Sequence, residues 1–500
     1  MPRFHALTSL IVAIALAALL ALPAPAFAQE DLSQTYSTAD GGLTFRHPAG
    51  WAVVEQFGTI TLASSQAALD ALNRAAALEP GQMTAVIVPP AGLAEQLALM
   101  GLSAASGPEA LLSDYVTLLG ASASFAPAQA VAAGDKVAIK TSGIWLGMAQ
   151  ALYAVPLGEG GLALIAAAAP DEAALAAAEP PLLAIIGSFS ARPLAAPVET
   201  ASVVWQQQQP LPGEQVVEGG VNGFLDVVAG PDDTLYVLDA VAGVHIYTPD
   251  GAYQGLLGGA GAPFYFADIS AGPDGTLWGV DYGGTVMQVG PDGAPRTTFS
   301  VTDGAGIAVS FNVQIAAGPD GNVYLLATVP GATEIEQVGQ VVVFDPAGQM
   351  LRRFEIGRAD YAYDATIAFG PDGALYAVES SGEGGVRVFD MQGGLLREGI
   401  GAAVLFVGPG SLAVAPDGSI YASAPATGAI YHFAPDGALL GRFGQSQFDL
   451  FAPEAAAQSY PPFEPGVFFE IAGLAVLSDG DVVAADANPS FAQLVRVSFD

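Results

Sequence analysis

Six times in the C-terminal half of the chain, a tight turn built on Pro-Asp-Gly interrupts strand-length apolar stretches. This recurrence restricts the fold more than any other feature. The turn occurs at Pro231-Asp232-Asp233, Pro273-Asp274-Gly275, Pro319-Asp320-Gly321, Pro371-Asp372-Gly373, Pro416-Asp417-Gly418 and Ser478-Asp479-Gly480. Its first aspartates are separated by 42, 46, 52, 45 and 62 residues. Proline fixes φ, aspartate bonds its own backbone and glycine supplies φ > 0, so each triplet reverses the chain tightly. A second turn recurs at Pro249-Asp250-Gly251, Pro291-Asp292-Gly293, Pro346-Ala347-Gly348, Gln392-Gly393-Gly394 and Pro435-Asp436-Gly437.

Between the turns lie runs rich in β-branched and aromatic residues, such as Thr234–Leu238, Val244–Tyr247, Gln340–Phe344 and Ala429–Phe433. Four strands per repeat of ~40–50 residues is the pattern of a propeller blade. A solenoid is the alternative, but four antiparallel strands per repeat argue against it. The last unit offers strands near Ala472–Leu477, Asp481–Ala485 and Leu494–Phe499 and lacks a fourth. Residues 202–206 have strand character and precede the first unit. They are expected to supply the missing outer strand and lock the ring, unless they form only a linker.

The stretches DVVAGPDDTLYVLDAVAGVHIYTPDGAYQGLLG (226–258) and SLAVAPDGSIYASAPATGAIYHFAPDGALLGRFG (411–444) resemble NHL-repeat blades. The resemblance covers about 222–500 and implies a six-bladed β-propeller. It says little about activity, because propellers host many.

Residues 30–193 carry no repeat. Gly41–Trp51 reads as a strand, a turn and a packed Trp, and Thr59–Ala63 and Thr84–Val88 read as strands. Pro108–Leu119 has the apolar period of a helix. Lys136–Thr141, Ala149–Val155 and Gly161–Ala167 follow as strands. Pro170–Ile186 reads as a closing helix, with Asp171 and Glu172 suited to the dipole of its first turn. The pattern is a small α+β domain with an antiparallel sheet. Its opening, Gly42-Leu43-Thr44-Phe45 followed by Pro48 and Gly50-Trp51, resembles the PsbP-like fold. Residues 194–221 are read as linker plus closing strand.

At the N-terminus, Arg3, the apolar run Leu10–Leu22 and the small-x-small site Ala26-Phe27-Ala28 have the pattern of a secretory signal, residues 1–28. An uncleaved anchor is the other reading, but the run is shorter than the ~20 residues that span a bilayer. No later apolar stretch reaches that length, so no transmembrane segment is expected after cleavage. The protein is therefore expected outside the cytoplasm, secreted, periplasmic or at the cell surface, after cleavage near Ala28.

Lys and Arg number 14 against 49 Asp and Glu, for a formal charge of −35. Such a surface repels phosphate backbones and anionic headgroups, which argues against nucleic acid and electrostatic membrane docking. The chain has 0 cysteines, which removes disulfides, thiolate nucleophiles and cysteine metal sites.

In a blade, the first and third turns share one face, and the second turns and the blade-to-blade connections share the other. Here the second face carries everything long, and function is expected there. Its aromatics include Phe264, Tyr265 and Phe266, then Tyr361 and Tyr363, then Phe448, Phe451, Tyr460, Phe463, Phe468 and Phe469, with Tyr282 from a second turn. Tyr265, Phe266, Tyr282, Tyr361, Tyr363, Phe451 and Tyr460 are the candidate ligand-binding residues, for a protein or glycan partner. The same residues could instead fill gaps between blades.

Acids recur at the ends of second strands: Asp239, Asp281, Glu334, Glu336, Glu379 and Asp486. Asp239, Asp281, Glu379 and Asp486 are candidate metal ligands, with Ca²⁺ the fitting ion, or else ordinary turn caps. No other cofactor is expected. Three histidines follow the signal, His47, His245 and His432, and the last two sit in third strands away from the channel. No phosphate loop or nucleophile elbow is present. The leading expectation is a monomeric exported binding module. The alternatives are a metal-dependent lactonase-like hydrolase and a structural envelope component.

Overall fold

A computed structural model describes residues 31–38, 40–56, 58–193, 199–210, 223–259, 264–301, 313–332, 336–360, 365–379, 385–402, 404–405, 410–424, 427–446, 464–487 and 491–499. The chain divides into two compact units, 1–195 with 402–404, and 196–401 with 405–500. The expected signal, residues 1–28, lies outside the described residues. Among the described residues no helix is long and apolar enough to cross a membrane.

The first unit is built on an eight-stranded antiparallel sheet. Its path runs Ala52–Gln56, Thr59–Ala63, Thr84–Val88, Leu162–Ala169, Met148–Pro156, Lys136–Trp145, Ser124–Phe125, and Gln129–Ala133 also pairs with Lys136–Trp145. Strand alternation sends Ala151, Tyr153 and Val155 to one face, against Ala174, Leu182 and Ile185 of the helix Glu172–Gly187. Leu152, Ala154 and Leu164 go to the other face, against Leu93 and Leu97 of Pro90–Leu99 and Leu111 and Leu112 of Pro108–Leu118. Each such aliphatic side chain, fully buried, contributes about 1.5–3 kcal/mol. Asp171 caps the helix Glu172–Gly187, its carboxylate accepting the Ala174 N–H at 2.7 Å. Lys140 meets Glu179 of that helix at 2.5 Å. Leu43 and Phe45 are buried in Leu43–His47, which pairs with Gln34–Ser37 and Ser190–Ala191. The helices Gln66–Asn73 and Pro90–Leu99 were not anticipated from the sequence.

Among the described residues, the second unit contains six four-stranded antiparallel sheets. Their inner strands are Phe224–Ala229, Asp268–Ala271, Gln314–Ala317, Ala365–Phe369, Leu412–Val414 and Ile471–Val476. Each inner strand adjoins the next, and the sixth adjoins the first, so the sheets close in a circle. That arrangement is a β-propeller. Apolar side chains fill the space between sheets, as where Trp278 and Val280 meet Val323, Leu325 and Phe344.

The turns follow one rule. The carboxylates of Asp232, Asp274, Asp320, Asp372, Asp417 and Asp479 each accept the backbone N–H two residues on, at 2.9 to 3.3 Å. Gly275, Gly321, Gly373, Gly418 and Gly480 follow with φ between 77° and 91°, where a Cβ would be strained.

In the sixth sheet, Ala201–Pro210 is the outermost strand, paired antiparallel with Phe491–Phe499. The closing strand is longer than the five residues expected, with a register shift between Val203 and Trp205. There the Trp205 indole donates to the Pro249 carbonyl at 3.0 Å, in the third turn of the first sheet.

Candidate functional site

The candidate aromatics separate by burial. Tyr265 is 66% exposed and Tyr282 is 54% exposed. Both belong to the second sheet's end of the long-loop face, in the connection leading to Asp268–Ala271 and in the turn after Leu277–Val280. Phe266 corrects the expectation of a loop aromatic open to a ligand: it is only 5% exposed. Its ring stacks on buried Phe264 at 5.8 Å. It also lies over Gly279, where an added Cβ would come within 2.5 Å of the ring. Phe264 and Phe266 fill the gap between sheets, while Tyr265 between them turns outward. Phe468 is buried as well. Tyr361, Tyr363, Phe451 and Tyr460, with Phe448 and Phe463, lie outside the described residues.

The candidate acids are engaged by backbone. Asp239 is buried, and its Oδ1 accepts the N–H groups of Val241 and Ala242 at 2.8 and 2.7 Å. Its Oδ2 lies 3.6 Å from Nε2 of buried His245. The Asp281 Oδ1 accepts from Gly283 and Thr285 at 2.8 and 2.7 Å. Asp486 is fully buried and takes the N–H groups of Phe469 and Glu470, the latter at 2.7 Å. Burial pushes its carboxyl up to about 7, against the pull of those two donors. Glu379 ends the strand Leu375–Glu379, its side chain lying outside the described residues, as does Glu334. Among the described residues, no three His, Asp or Glu side chains converge in a metal-ligand group. The described oxygens of Asp239, Asp281 and Asp486 thus act as turn and strand-end caps.

An acid pair that sequence reading missed lies deeper. Asp226 and Asp268 occupy equivalent places on the inner strands of the first and second sheets, five residues before the proline of each turn. The edge of each inner strand that faces the ring axis has no strand partner, so its N–H groups need acceptors. The Asp268 Oδ2 accepts the Ile315 N–H of the third sheet at 2.6 Å. Ser270 Oγ similarly accepts the Ala317 N–H at 2.9 Å. Asp226 takes its own Val227 N–H at 2.8 Å and also faces the Ile269 N–H and the Asp268 carboxyl. Burial, then the neighbouring Asp268 charge, raises Asp226 well above the ordinary carboxylate range. Burial raises Asp268 to about 7. The two carboxyls face each other, and charge on both would repel. The sixth sheet has Gly473 at this place, and a Cβ there would fall 2.6 Å from the Asp226 carboxylate.

The histidines are structural. His245 Nδ1 lies 3.3 Å from the Tyr253 hydroxyl. His432 stacks on Tyr421 at 4.1 Å and bonds Glu199 at 2.6 Å. Both are buried, and neither offers a ring nitrogen to solvent beside a nucleophile.

Each unit carries a concavity. One of about 250 Å³ lies at the Pro-Asp-Gly end of the ring, lined by Ala229, Gly230, Pro231, Gly272, Pro319 and Phe369 among others, with no charged group. The first unit has an open cleft of about 940 Å³ beside Glu109, Lys136 and Phe189. Its lysine is spent on Asp135 and the Gly187 carbonyl, at 3.0 and 3.1 Å.

No protein-family model and no curated protein matches the chain. Among solved structures, a streptogramin B lyase is similar at 12% identity and TM-score 0.37, over 55% of this chain and 79% of that one. A virginiamycin B lyase from Staphylococcus aureus is similar at 14% identity and TM-score 0.37, over 59% and 99%. The WD40 β-propeller domain of Doa1 is similar at 13% identity and TM-score 0.36, over 60% and 97%. Likenesses this distant carry nothing about activity, and the propeller rests on the strand order above.

Proposed function

We propose that the chain is an exported, monomeric binding protein that engages a protein or glycan through the long-loop face of a six-bladed, NHL-like propeller. The PsbP-like reading of the first unit belongs to the same proposal. The exported part rests on the apolar run Leu10–Leu22 and the Ala26-Phe27-Ala28 site, and N-terminal sequencing of the processed protein tests it.

The observation that carries the binding reading is the pair Tyr265 and Tyr282. Both are large aromatics held in water on one sheet's end of that face, while neighbouring Phe264 and Phe266 are buried. Tyrosine offers apolar area and a hydroxyl at low entropic cost, which suits sugar rings and protein surfaces alike. The carboxylates of Asp239, Asp281 and Asp486 meanwhile accept backbone N–H groups, and the rings of His245 and His432 are buried.

The test uses the processed protein and a Tyr265→Ser/Tyr282→Ser variant. Both are titrated calorimetrically against soluble oligosaccharides and cross-linked to an envelope protein extract. Saturable binding that the variant loses at unchanged folding supports the reading. Binding that survives both substitutions moves the site elsewhere and overturns it.

A further inference from the structure

Two of the six Pro-Asp-Gly turns depart from the repeat, and the departures touch each other. The first turn carries Asp233 where the other five carry glycine. The last carries Ser478 where the other five carry proline. These residues are 245 positions apart in sequence, yet the Ser478 N–H donates to Asp233 Oδ1 at 2.8 Å. The Ser478 hydroxyl donates to Asp233 Oδ2 at 2.5 Å. Proline at 478 would have no N–H to give. Glycine at 233 would have no carboxylate to receive it.

The backbone of Asp233 has φ 62°, one of three described non-glycine residues in the left-handed region. That conformation is unfavourable for a residue with a Cβ, though Asp tolerates it better than most. The turn keeps its own bond, Asp233 N–H to the Gly230 carbonyl at 3.0 Å. The strain is thus tolerated where the carboxylate gains two donors from another sheet. Among the described residues, no other two neighbouring turns of this kind share a side-chain hydrogen bond.

The place of the contact gives it meaning. The three C-terminal strands of the sixth sheet have no covalent link to the first sheet. They reach it through the closing strand Ala201–Pro210, or by direct contact. Arg496 makes one direct contact, donating to the Pro249 carbonyl at 2.9 Å. The same arginine holds Asp479 and Asp481, on either side of Gly480, at 2.5 and 2.7 Å. The turn bearing Ser478 is therefore anchored to its own sheet while its serine reaches across.

We propose that Asp233 and Ser478 form a matched latch that ties the last sheet to the first and holds the ring shut independently of the closing strand. The latch explains why both ends of the repeat lost its consensus residue, and why each lost the one it did.

The test is a double-mutant cycle on the full chain, with Asp233→Gly and Ser478→Pro each restoring the repeat's own consensus. In the wild-type background, Ser478→Pro removes both donors and leaves the strained aspartate, and the propeller Tm is expected to fall by about 2–4 °C. In the Asp233→Gly background the same substitution is expected to leave Tm unchanged or raise it, because both turns then match the other four. Equal effects of Ser478→Pro in the two backgrounds overturn the latch. Hydrogen exchange reads the contact directly, even if the proline variant folds poorly. In Asp233→Gly the Ser478 amide is expected to exchange at least about tenfold faster. The Gly480 amide, which donates to the Leu477 carbonyl at 3.0 Å, keeps its rate. Unchanged protection at Ser478 refutes the proposal.

Discussion

The Asp226–Asp268 pair makes the propeller's stability depend on pH in a direction opposite to that of a salt-bridged carboxylate. Both groups titrate above their free values because burial disfavours the charged form. The folded state therefore holds these protons more tightly than the unfolded chain. Their contribution is complete below the unfolded value of 3.8 and is lost as pH rises through about 7 for Asp268. At about 1.4 kcal/mol per unit, that gap corresponds to about 4 kcal/mol, which relaxation around a newly charged group trims to roughly 2–4 kcal/mol. About two of those units lie between pH 5 and pH 7, so for a domain of this size the loss over pH 5 to pH 8 is a fall of roughly 3–10 °C in Tm.

The perturbation is Asp226→Asn with Asp268→Asn. Each carboxamide keeps an oxygen for Val227 N–H or Ile315 N–H, and the two can bond each other, while neither titrates. The assay is differential scanning calorimetry of wild type and variant from about pH 5 to pH 8. It is run in about 0.5 M salt, where surface repulsion in this acidic chain is screened and a buried pair is not. Asp486 titrates in both proteins and cancels. The variant should match wild type at the acid end and exceed it at the basic end. Parallel Tm curves across the whole range would refute the raised carboxyls.

Three further outcomes follow from the packing. Phe266→Ala, which empties the space over Gly279 and beside Phe264, should cost about 3–5 kcal/mol by denaturant unfolding, whereas Tyr265→Ser should stay within about 0.5 kcal/mol. Trp205→Ala removes the indole bond to Pro249 and the ring beside Gly251, and should cost about 2–4 kcal/mol and speed proteolysis within 199–210. EDTA should leave Tm unchanged, since Asp239, Asp281 and Asp486 aim oxygens at backbone N–H groups. A Tm drop reversed by Ca²⁺ would restore them as ligands.

What the sequence disclosed was local. The turn aspartates could be read because each bonds the N–H two residues ahead, a contact contained in four residues of sequence. Thr59–Ala63 and Thr84–Val88 alternate within the strand itself, and their limits agree with the reading. The helix Pro90–Leu99 escaped because Pro89, Pro90 and Gly92 look like breakers. Proline at the first helical position is in fact compatible with a helix start. Phe264, Tyr265 and Phe266 are alike in composition, and only the neighbouring sheet decides which ring turns inward. Asp226 and Asp268 looked like acids in apolar strands, 42 residues apart, until the ring set them side by side. Asp233 and Ser478 were visible as departures from the repeat, but nothing local to either shows that one answers the other.

The inner strands explain why acids near the ring axis are poor evidence of chemistry in this chain. A propeller leaves one edge of every inner strand without a strand partner. The second sheet answers this for the third with Asp268 and Ser270, whose oxygens take the Ile315 and Ala317 N–H groups. A cation placed on Asp268 would compete with a 2.6 Å backbone bond. Tyr265, by contrast, is 66% exposed. The carboxyls of Asp226 and Asp268 are better understood as a polar lining that serves the open edges of neighbouring inner strands.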